Sequence, residues 1–247
     1  MSTISVVIPS RNDAQMLASC LAALARQSRR ADEIIVIDNS STDNTAAVCE
    51  AAQVRRISVD LPGIAASTAA GFDAARSEII ARLDTDSRPP ADWLQRIEAI
   101  LDKSGPLSAV TGPGDFYGSS RLVCWLGRHL YLGGYFRAVG LLMGHPPLFG
   151  SNFALSADVW ERLRDAVIRN NPCVHDDFDI SYHLRPDMAV YYEPALRVGV
   201  SARPFESWHS LGRRLAMGVT TLRVEFAEEP PLRRRRERLQ GVVERRR

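Results

Sequence analysis

The sequence predicts an α/β protein whose mostly parallel central sheet is flanked by helices. Short runs of β-branched residues alternate with segments of helical periodicity through the first 112 residues. Strands separated by helices of about 10–15 residues are typical of right-handed βαβ units. The chain has 247 residues, of which 45 % are hydrophobic and 24 % are charged. This is enough for one large domain with a sizeable core, and the composition excludes a disordered chain.

In the first half, five apolar runs predict strands, and the segments between them predict helices. Pro9 is expected to end the first strand, and Pro90 to introduce the fourth helix. The predicted strands cover residues 4–8, 33–38, 54–59, 78–83 and 107–111. The predicted helices cover residues 13–27, a segment that ends at residue 53, residues 64–76 and residues 93–101.

Short polar side chains predict where the first two helices begin. Asn12 or Asp13 is expected to cap the first helix, because their side-chain oxygens can accept from its free N–H groups. Ser41 or Thr42 is expected to cap the second helix, with Asp43 in its first turn, where a negative charge favours the helix dipole.

The second half has a different pattern, which begins after Gly112-Pro113-Gly114. It is expected to extend the same sheet, with a C-terminal helix and a basic tail over residues 205–247. The division of the chain is therefore 1–112, 113–204 and 205–247. The predicted features of the middle part are an aromatic helical stretch over 119–143, a loop over 145–150, a helix near 157–169, an acidic cluster at 175–179 and a strand near 189–193.

Basic charge is concentrated at the C-terminus. The chain has a net charge of +2, and residues 230–247 carry eight arginines and two glutamates, which leaves −4 for the remainder. A solvated helix is one interpretation of this tail. Peripheral membrane contact is another, because Leu232, Leu239 and Val243 share a helix face among the arginines. No nucleic-acid partner is expected, because the basic charge is not spread over the folded body.

We expect a cytoplasmic protein, with peripheral contact to the inner face of the membrane as an alternative. The N-terminus lacks the pattern of a signal peptide. The most apolar stretch, residues 122–143, contains Arg128, His129 and Arg137, so it falls short of a membrane span. The four cysteines have no metal-site spacing.

Polar groups follow the predicted strands at the edge where ligands of open parallel sheets bind. Residues 9–13 follow the first strand, Asp38 ends the second and Asp84-Thr85-Asp86 follows the fourth. Neither a dinucleotide-binding G-x-G-x-x-G nor a P-loop motif occurs. Carboxylates at such an edge can accept hydrogen bonds from a base or ribose, or hold a divalent cation. The D-x-D pattern therefore indicates Mg²⁺ or Mn²⁺ as a cofactor.

These motifs, in this order, resemble those of inverting glycosyltransferases of family 2, which have the A-type glycosyltransferase (GT-A) fold. The resemblance rests on residues 5–12, 35–45 and 83–86, and on Gly150–Leu155 and Asp176–Ser181 in the second half. It covers about residues 4–205. It implies that residues 1–112 bind a nucleotide sugar and that residues 113–204 bind the acceptor and carry the catalytic base.

The resemblance also implies a role for each matching residue. Asp177 corresponds to the catalytic base, and Asp176 stands where the family usually has glutamate. The implied donor-binding residues are Pro9, Arg11, Asp38 and Asp84, and the implied metal ligands are Asp86 and, as a candidate only, His209. The family often has an Arg-Asn pair before the glycine of the third helix. Here Thr68-Ala69 stands in its place, so Arg82 or Arg213 is expected to supply the missing contact.

The function implied is transfer of a hexosyl group from a nucleotide-diphosphate donor to an acceptor hydroxyl, with inversion and with a divalent metal. The acceptor is expected to be a glycan or a lipid-linked molecule. A sugar-phosphate nucleotidyltransferase is disfavoured, because residues 9–12 contain no glycine to hold a triphosphate. A non-catalytic binding module or scaffold at the membrane surface remains as the alternative.

Two groups of residues keep simpler interpretations. Asp179 is interpreted as a helix cap rather than a catalytic residue, and His175 as a structural residue. The aromatic residues of the 119–143 stretch are interpreted as core rather than as an acceptor groove. They are Trp125, Tyr131, Tyr135 and Phe136.

Overall fold

Strands and helices alternate as predicted in a computed structural model that describes residues 1–205 and 207–244. The strands are β1 (Ile4–Ser10), β2 (Glu33–Asp38), β3 (Arg55–Ser58), β4 (Ile79–Arg82), β5 (Ser108–Thr111), β6 (Gly114–Tyr117), β7 (Phe153–Ser156), β8 (Ala189–Tyr192) and β9 (Val198–Ser201). Over these described ranges, seven strands form one sheet in the order β3-β2-β1-β4-β7-β5-β8. Adjacent strands of this sheet run parallel, except that β7 is antiparallel to both β4 and β5.

Helices connect the strands and cover both faces of the sheet. They are α1 (Ala14–Leu24), α2 (Thr45–Ala51), α3 (Ile64–Ala74), α4 (Trp93–Ser104), α5 (Arg121–Leu126), α6 (Gly133–Met143), α7 (Ala157–Leu163), α8 (Asp176–His183), α9 (Trp208–Glu228) and α10 (Pro231–Glu244). A π-helical turn, Gly127–Leu132, joins α5 to α6, and a 3₁₀ turn, Arg203–Phe205, precedes α9. None of the helices in the described ranges is both long and apolar enough to cross a bilayer.

The core lies on both faces of the sheet because successive strand side chains point in opposite directions. Val6 of β1 packs with the α1 and α4 side, whereas Val7 packs with the α3, α7 and α8 side. Gly71 lets α3 approach the sheet closely, since a Cβ there would lie 2.3 Å from Cγ1 of Val7. The α/β architecture with a mostly parallel sheet is therefore confirmed.

The first strand is longer than predicted. β1 continues through Pro9 to Ser10, and Pro9 lies opposite Ile37 of β2. Pairing between β1 and β4 ends at Val7, so β1 has only one paired neighbour at Pro9. A residue without an N–H is tolerated at such a position.

The predicted helix caps are confirmed only in part. Asp13 occupies the N-cap position of α1, but its side chain makes no capping bond, and the N–H of Ala14 instead donates to Oδ2 of Asp43, 2.9 Å away. The α2 helix begins later, at Thr45, whose N–H and hydroxyl donate to Oδ1 of the same Asp43. One carboxylate therefore serves the start of two helices, through a contact between loops that are 29 residues apart in sequence.

The predicted helices of the second half also differ in detail. The helix predicted near 157–169 ends at Leu163, and the acidic cluster lies inside α8 rather than before it. Three strands were not predicted: β7 in the main sheet, and β6 and β9, which pair with each other. Each is four residues long.

Candidate active site

The carboxyl ends of β1, β2 and β4 meet at one edge of the sheet. There Asp38 lies opposite Ser10, and Asp84 and Asp86 follow β4 directly. Pro9 is partly buried in the same strand end, and Arg11 is exposed in the loop after it. The structure thus brings together the donor-side residues that the sequence singles out.

Asp38 is a buried, ionised acceptor. Its Oδ1 accepts from the N–H of Ser41, 2.9 Å away, and its Oδ2 pairs with Arg56 at 2.8 Å. Burial raises the pKa of Asp38, but the hydrogen bonds from Ser41 and the charge of Arg56 outweigh it and leave that pKa below its ordinary value. Asp38 therefore holds its own loop in place at the sheet edge.

Asp84 is held by an arginine from the preceding strand. Arg82, whose side chain is 1 % exposed, pairs with Oδ1 of Asp84 at 2.8 Å. The hydroxyl of Ser151 donates to Oδ2 at 2.5 Å. Burial raises the pKa of Asp84, but the attraction of Arg82 outweighs it, so the net pKa is lowered. Both oxygens of Asp84 therefore already have partners.

The same guanidinium reaches the acidic pair on the acceptor side. Nη2 of Arg82 lies 3.0 Å from Oδ2 of Asp176, which also accepts from the hydroxyl of Thr68 at 2.5 Å. Thr68 occupies the helix position where the family usually has a polar pair. Two arginines were expected to replace that pair. Arg82 places its guanidinium next to Thr68, whereas the side chain of Arg213 lies outside the described residues.

Asp177 lies in the first turn of α8, beside this pair. Its Oδ2 accepts from the N–H of Gly150 at 2.7 Å, and its Oδ1 from the N–H of Phe178 at 2.8 Å. Burial, followed by repulsion from Asp176, raises the pKa of Asp177. A raised pKa makes this carboxylate a better proton acceptor.

Gly150 has no room for a side chain. A Cβ there would lie 2.5 Å from Nη1 of Arg82 and 3.0 Å from Oδ2 of Asp177. The glycine therefore allows the backbone to approach the cluster that joins the donor and acceptor sides.

Asp86, the second acid of the D-x-D pair, is held less closely by its neighbours than Asp84 is. Burial and repulsion from Asp84 raise its pKa to about 6, against the opposing charges of Arg203 and Arg214. Nη2 of Arg203 is 3.5 Å away. Asp84 already has a partner at each oxygen, whereas the cation beside Asp86 lies at this longer distance. Asp86 is therefore the carboxylate of the pair that fits Mg²⁺ or Mn²⁺, ions that prefer oxygen donors.

Asp13 joins this loop although the sequence pattern gave it only a capping role. Both its oxygens pair with Arg203, at 3.0 and 2.7 Å. Oδ2 also accepts from the hydroxyl of Thr85 at 2.7 Å. Asp13 therefore links the β1 loop, the D-x-D loop and the 3₁₀ turn, and local spacing contains no signal for such a contact.

The α9 helix is connected to the acidic cluster through α8. The backbone N–H of His175 donates to the hydroxyl of Thr221 at 3.0 Å, and its ring Nε2 lies 3.1 Å from the carbonyl oxygen of Arg214. His209 lies near the beginning of the same helix with an exposed side chain. Its role as a metal ligand stays a prediction.

Asp179 does not cap the helix that contains it. Its Oδ2 accepts from the backbone N–H of Ile168 at 2.8 Å, and its Oδ1 lies 3.1 Å from Nδ1 of His183. Glu225 of α9 lies 4.0 Å from the same ring nitrogen. Asp179 therefore stabilises the packing around α8. The prediction that it caps this helix is wrong, because its side chain contacts Ile168 and His183 instead.

Comparison with known proteins bears on the family and the fold of the chain. The family model described as Glycosyl transferase family 2 matches residues 5–163. An uncharacterized glycosyltransferase of Mycobacterium tuberculosis is 35 % identical over 109 residues, which are 44 % of this chain and 47 % of that protein. An undecaprenyl-phosphate 4-deoxy-4-formamido-L-arabinose transferase of Pseudomonas fluorescens is 31 % identical over 39 % of this chain and 31 % of that protein. The chain therefore spans less than half the length of each of these two relatives.

Solved structures show the same fold. Glucosyl-3-phosphoglycerate synthase of Mycobacterium tuberculosis, in complex with Mn²⁺ and UDP-glucose, has a TM-score of 0.65 at 21 % identity, over 91 % of this chain and 79 % of that one. TarS of S. aureus, in complex with UDP-GlcNAc, has a TM-score of 0.65 at 13 % identity, over 85 % of this chain and 60 % of that one. The matched segment covers more than half of the sequence and contains the β1, β2 and D-x-D motifs. The chain therefore belongs to glycosyl transferase family 2.

Proposed function

We propose that this chain transfers a hexosyl group from a nucleotide-diphosphate sugar to an acceptor hydroxyl, with inversion and with Mg²⁺ or Mn²⁺. The observation that carries the proposal is that Arg82 pairs with both Asp84 and Asp176, while the adjacent residues Ser151 and Gly150 donate to Asp84 and Asp177. These contacts hold a candidate donor-side carboxylate and a candidate base close together. Family membership and the GT-A fold of the neighbours support the same activity.

On the donor side, Pro9, Arg11 and Asp38 would surround the nucleoside. Asp86 would hold the metal, with Asp84 and His209 as further candidates, and the bound metal would offset negative charge on the diphosphate. The neighbour that binds Mn²⁺ with UDP-glucose supports this assignment of cofactor and donor class.

On the acceptor side, Asp177 would act as the general base. Its carboxylate would take the proton of the acceptor hydroxyl while that oxygen bonds to the anomeric carbon and the bond to the diphosphate breaks. Asp176 is bound to Arg82 and Thr68, which leaves Asp177 as the acid with raised pKa. A single base opposite the leaving group favours inversion, since retention by a double displacement needs a second carboxylate as nucleophile.

A lipid-linked acceptor is the acceptor class that we favour. One relative carries undecaprenyl phosphate in its name. Tyr131 and Tyr135 of the aromatic stretch lie near the charge of Asp177, and Tyr135 donates to the carbonyl of Leu148 at 2.8 Å. A cytoplasmic enzyme at the inner membrane face would meet both substrates. A binding module without turnover is the second candidate.

The test is release of nucleoside diphosphate from UDP-, GDP- and dTDP-sugars with Mn²⁺, with a polyprenyl-linked sugar, which offers free hydroxyls, as acceptor and with water alone. We expect Asp177→Asn to abolish turnover while nucleotide binding persists. Asp187→Asn is the matched control, because Asp187 is half-exposed in a surface pair with Arg162. Turnover that survives in Asp177→Asn contradicts the assigned base, and binding without turnover in the parent protein supports the binding module.

A further inference from the structure

The helical stretch from α5 to α6 presents an apolar face to solvent. Leu122, Leu130 and Leu141 are 65 %, 65 % and 64 % exposed, and Trp125 is 54 % exposed. Leu126 lies beside them and is also exposed. We call these five residues the exposed apolar face. Exposed apolar residues scattered singly are ordinary, but four of these five fall between residues 122 and 130 of one helical stretch, and such a clustered set marks an interaction surface.

The position of this face follows from the helical repeat. Leu122, Leu126 and Leu130 are four residues apart, so they share one side of the helix. The other side turns inward, where Leu132 and Met143 are buried. The face is therefore the outer side of an element whose inner side belongs to the fold.

Exposed basic side chains flank this face, although Arg128 of the π-helical turn is paired with Asp115. Between Asp115 and Asp158 the sequence contains no acidic residue. Arg121 and Arg137 are exposed on the same stretch, and Arg235 of α10 packs against Gly144 at the end of α6. An apolar helix face surrounded by arginines matches a bilayer with anionic headgroups.

The basic tail contributes less to such a surface than its sequence predicts. Arg238 is 6 % exposed, and it donates to the carbonyls of Leu184, Arg185 and Met188. Arg234 lies over the ring of Tyr182, 4.2 Å from its centroid. These two arginines attach α10 to the body. The side chains of Leu232, Leu239 and Val243 lie outside the described residues.

We propose that the exposed apolar face docks on an anionic membrane surface, with the α5–α6 stretch lying in the plane of the headgroups. Tyr135 of α6 packs with Phe178 of α8 and donates to the carbonyl of Leu148, two residues before Gly150. Docking would thus bring the acceptor side close to the headgroups, a consequence that rests on the proposed function. The docking itself depends only on the surface.

Vesicle flotation of the full chain tests this proposal. The probes are vesicles of phosphatidylcholine alone and vesicles of phosphatidylglycerol and phosphatidylcholine in equal amounts, at low and high salt. We expect binding to the anionic vesicles only, weakened by salt. The double variant Trp125→Gln/Leu130→Gln should bind at least about tenfold more weakly, because it removes apolar area that would enter the bilayer.

Matched variants separate the surface from general effects. Leu61→Gln replaces another exposed leucine, outside this stretch, and should bind as the parent protein does. Arg121→Glu/Arg137→Glu should abolish binding, whereas Lys103→Glu, at the end of α4, should weaken it only slightly. Unfolding temperatures near the parent's show that each variant is folded, which is expected for side chains this exposed.

Three results would overturn the proposal. They are absence of parent binding to anionic vesicles, equal binding by the Trp125→Gln/Leu130→Gln variant, and a dimer in solution that this variant converts to monomers. The last would assign the face to a second copy of the chain. Hydrolysis of the sugar nucleotide, with water as acceptor, is measured on the same variants. It reports on the proposed function without vesicles, so a failure of docking can be told from a failure of the proposed function.

Discussion

At the residue scale, Arg82 is the group on which the candidate site depends most. It is almost fully buried and pairs with two carboxylates, Asp84 and Asp176, that belong to the two halves of the candidate site. Burying charges is costly, and removing one partner leaves the others uncompensated. The sequence offered a signal for it, since an arginine interrupts the apolar run of β4.

We expect Arg82→Met to lower the free energy of unfolding by about 3–5 kcal/mol, because two buried carboxylates lose their cation. Arg82→Lys should retain more stability but still lose turnover, because one ammonium cannot bridge both acids in the way a guanidinium does. Urea unfolding and donor turnover measure the two effects. Arg162→Met, which breaks an exposed pair, should cost no more than about 1 kcal/mol; an equal cost for both methionine variants would refute this role.

The pKa of Asp86 predicts how the metal-free protein responds to pH. A carboxyl whose folded pKa is about 6 holds its proton more tightly in the folded than in the unfolded state. Its contribution to stability is therefore present at low pH and is lost as pH rises from about 4 through 6. The loss is at most about 3 kcal/mol.

Thermal unfolding in a chelator checks this expectation. Asp86→Asn should flatten the fall in stability between pH 4 and 7, and at pH 7 it should be more stable than the parent protein. A parent protein whose stability rises with pH over this interval, with no effect of Asp86→Asn, would contradict the assignment.

Asp177 gives a second pH dependence, in activity. Its carboxylate must be ionised to accept a proton, and burial followed by repulsion from Asp176 raises its pKa. We therefore expect kcat/KM to fall on the acid side with a midpoint above the ordinary aspartate value of 3.8. A profile that stays flat down to that value would be inconsistent with Asp177 as the base.

At the scale of elements, the turn before β7 determines how the two sides of the site meet. β7 pairs with β4 so that Phe153 lies opposite Arg82, which brings residues 150–152 against the D-x-D loop. The hydroxyl of Ser151 and the N–H of Gly150 then reach Asp84 and Asp177. A short antiparallel strand thus aligns the groups of the candidate site.

Gly150→Ala tests this alignment. A methyl group would push against Arg82 and Asp177, so we expect turnover to fall at least about tenfold, since small displacements of catalytic groups are costly. Gly134→Ala is the control, because a Cβ there meets no atom within 4 Å and alanine favours the helix. Equal turnover in the two variants would show that the close approach at Gly150 has no importance.

The elements also show what sequence patterns can predict. The strands and helices of the first half follow from periodicity, and the convergence of Asp38, Asp84 and Asp86 follows from the geometry of parallel sheets. The helix starts do not, because Asp43 reaches across from another loop. The pairing of Asp13 with Arg203 spans 190 residues, and such contacts have no local signature.

At the scale of the whole molecule, the two halves of the chain share one sheet. Residues 1–112 contribute β1 to β5, and residues 113–204 insert β7 between β4 and β5 and add β8 at the edge. Helix α8, which belongs to the second half and carries the acidic cluster, packs against α3 and the sheet. The proposed donor and acceptor sides therefore belong to one fold, in which the turn at Gly150 lies between Asp177 and Arg82.

The most direct test of this account is nucleotide binding that depends on a divalent metal. Thermal unfolding is measured with UDP, GDP, dTDP and CDP, each with and without Mn²⁺, on the parent protein and on Asp86→Ala. We predict that one nucleotide, at about 100 times its Kd, stabilises the parent protein by roughly 2.7 kcal/mol only when Mn²⁺ is present. The shift should vanish in Asp86→Ala. Absence of a shift with every nucleotide, or an equal shift in the variant, would contradict the central claim that this sheet edge binds a nucleotide diphosphate through a metal.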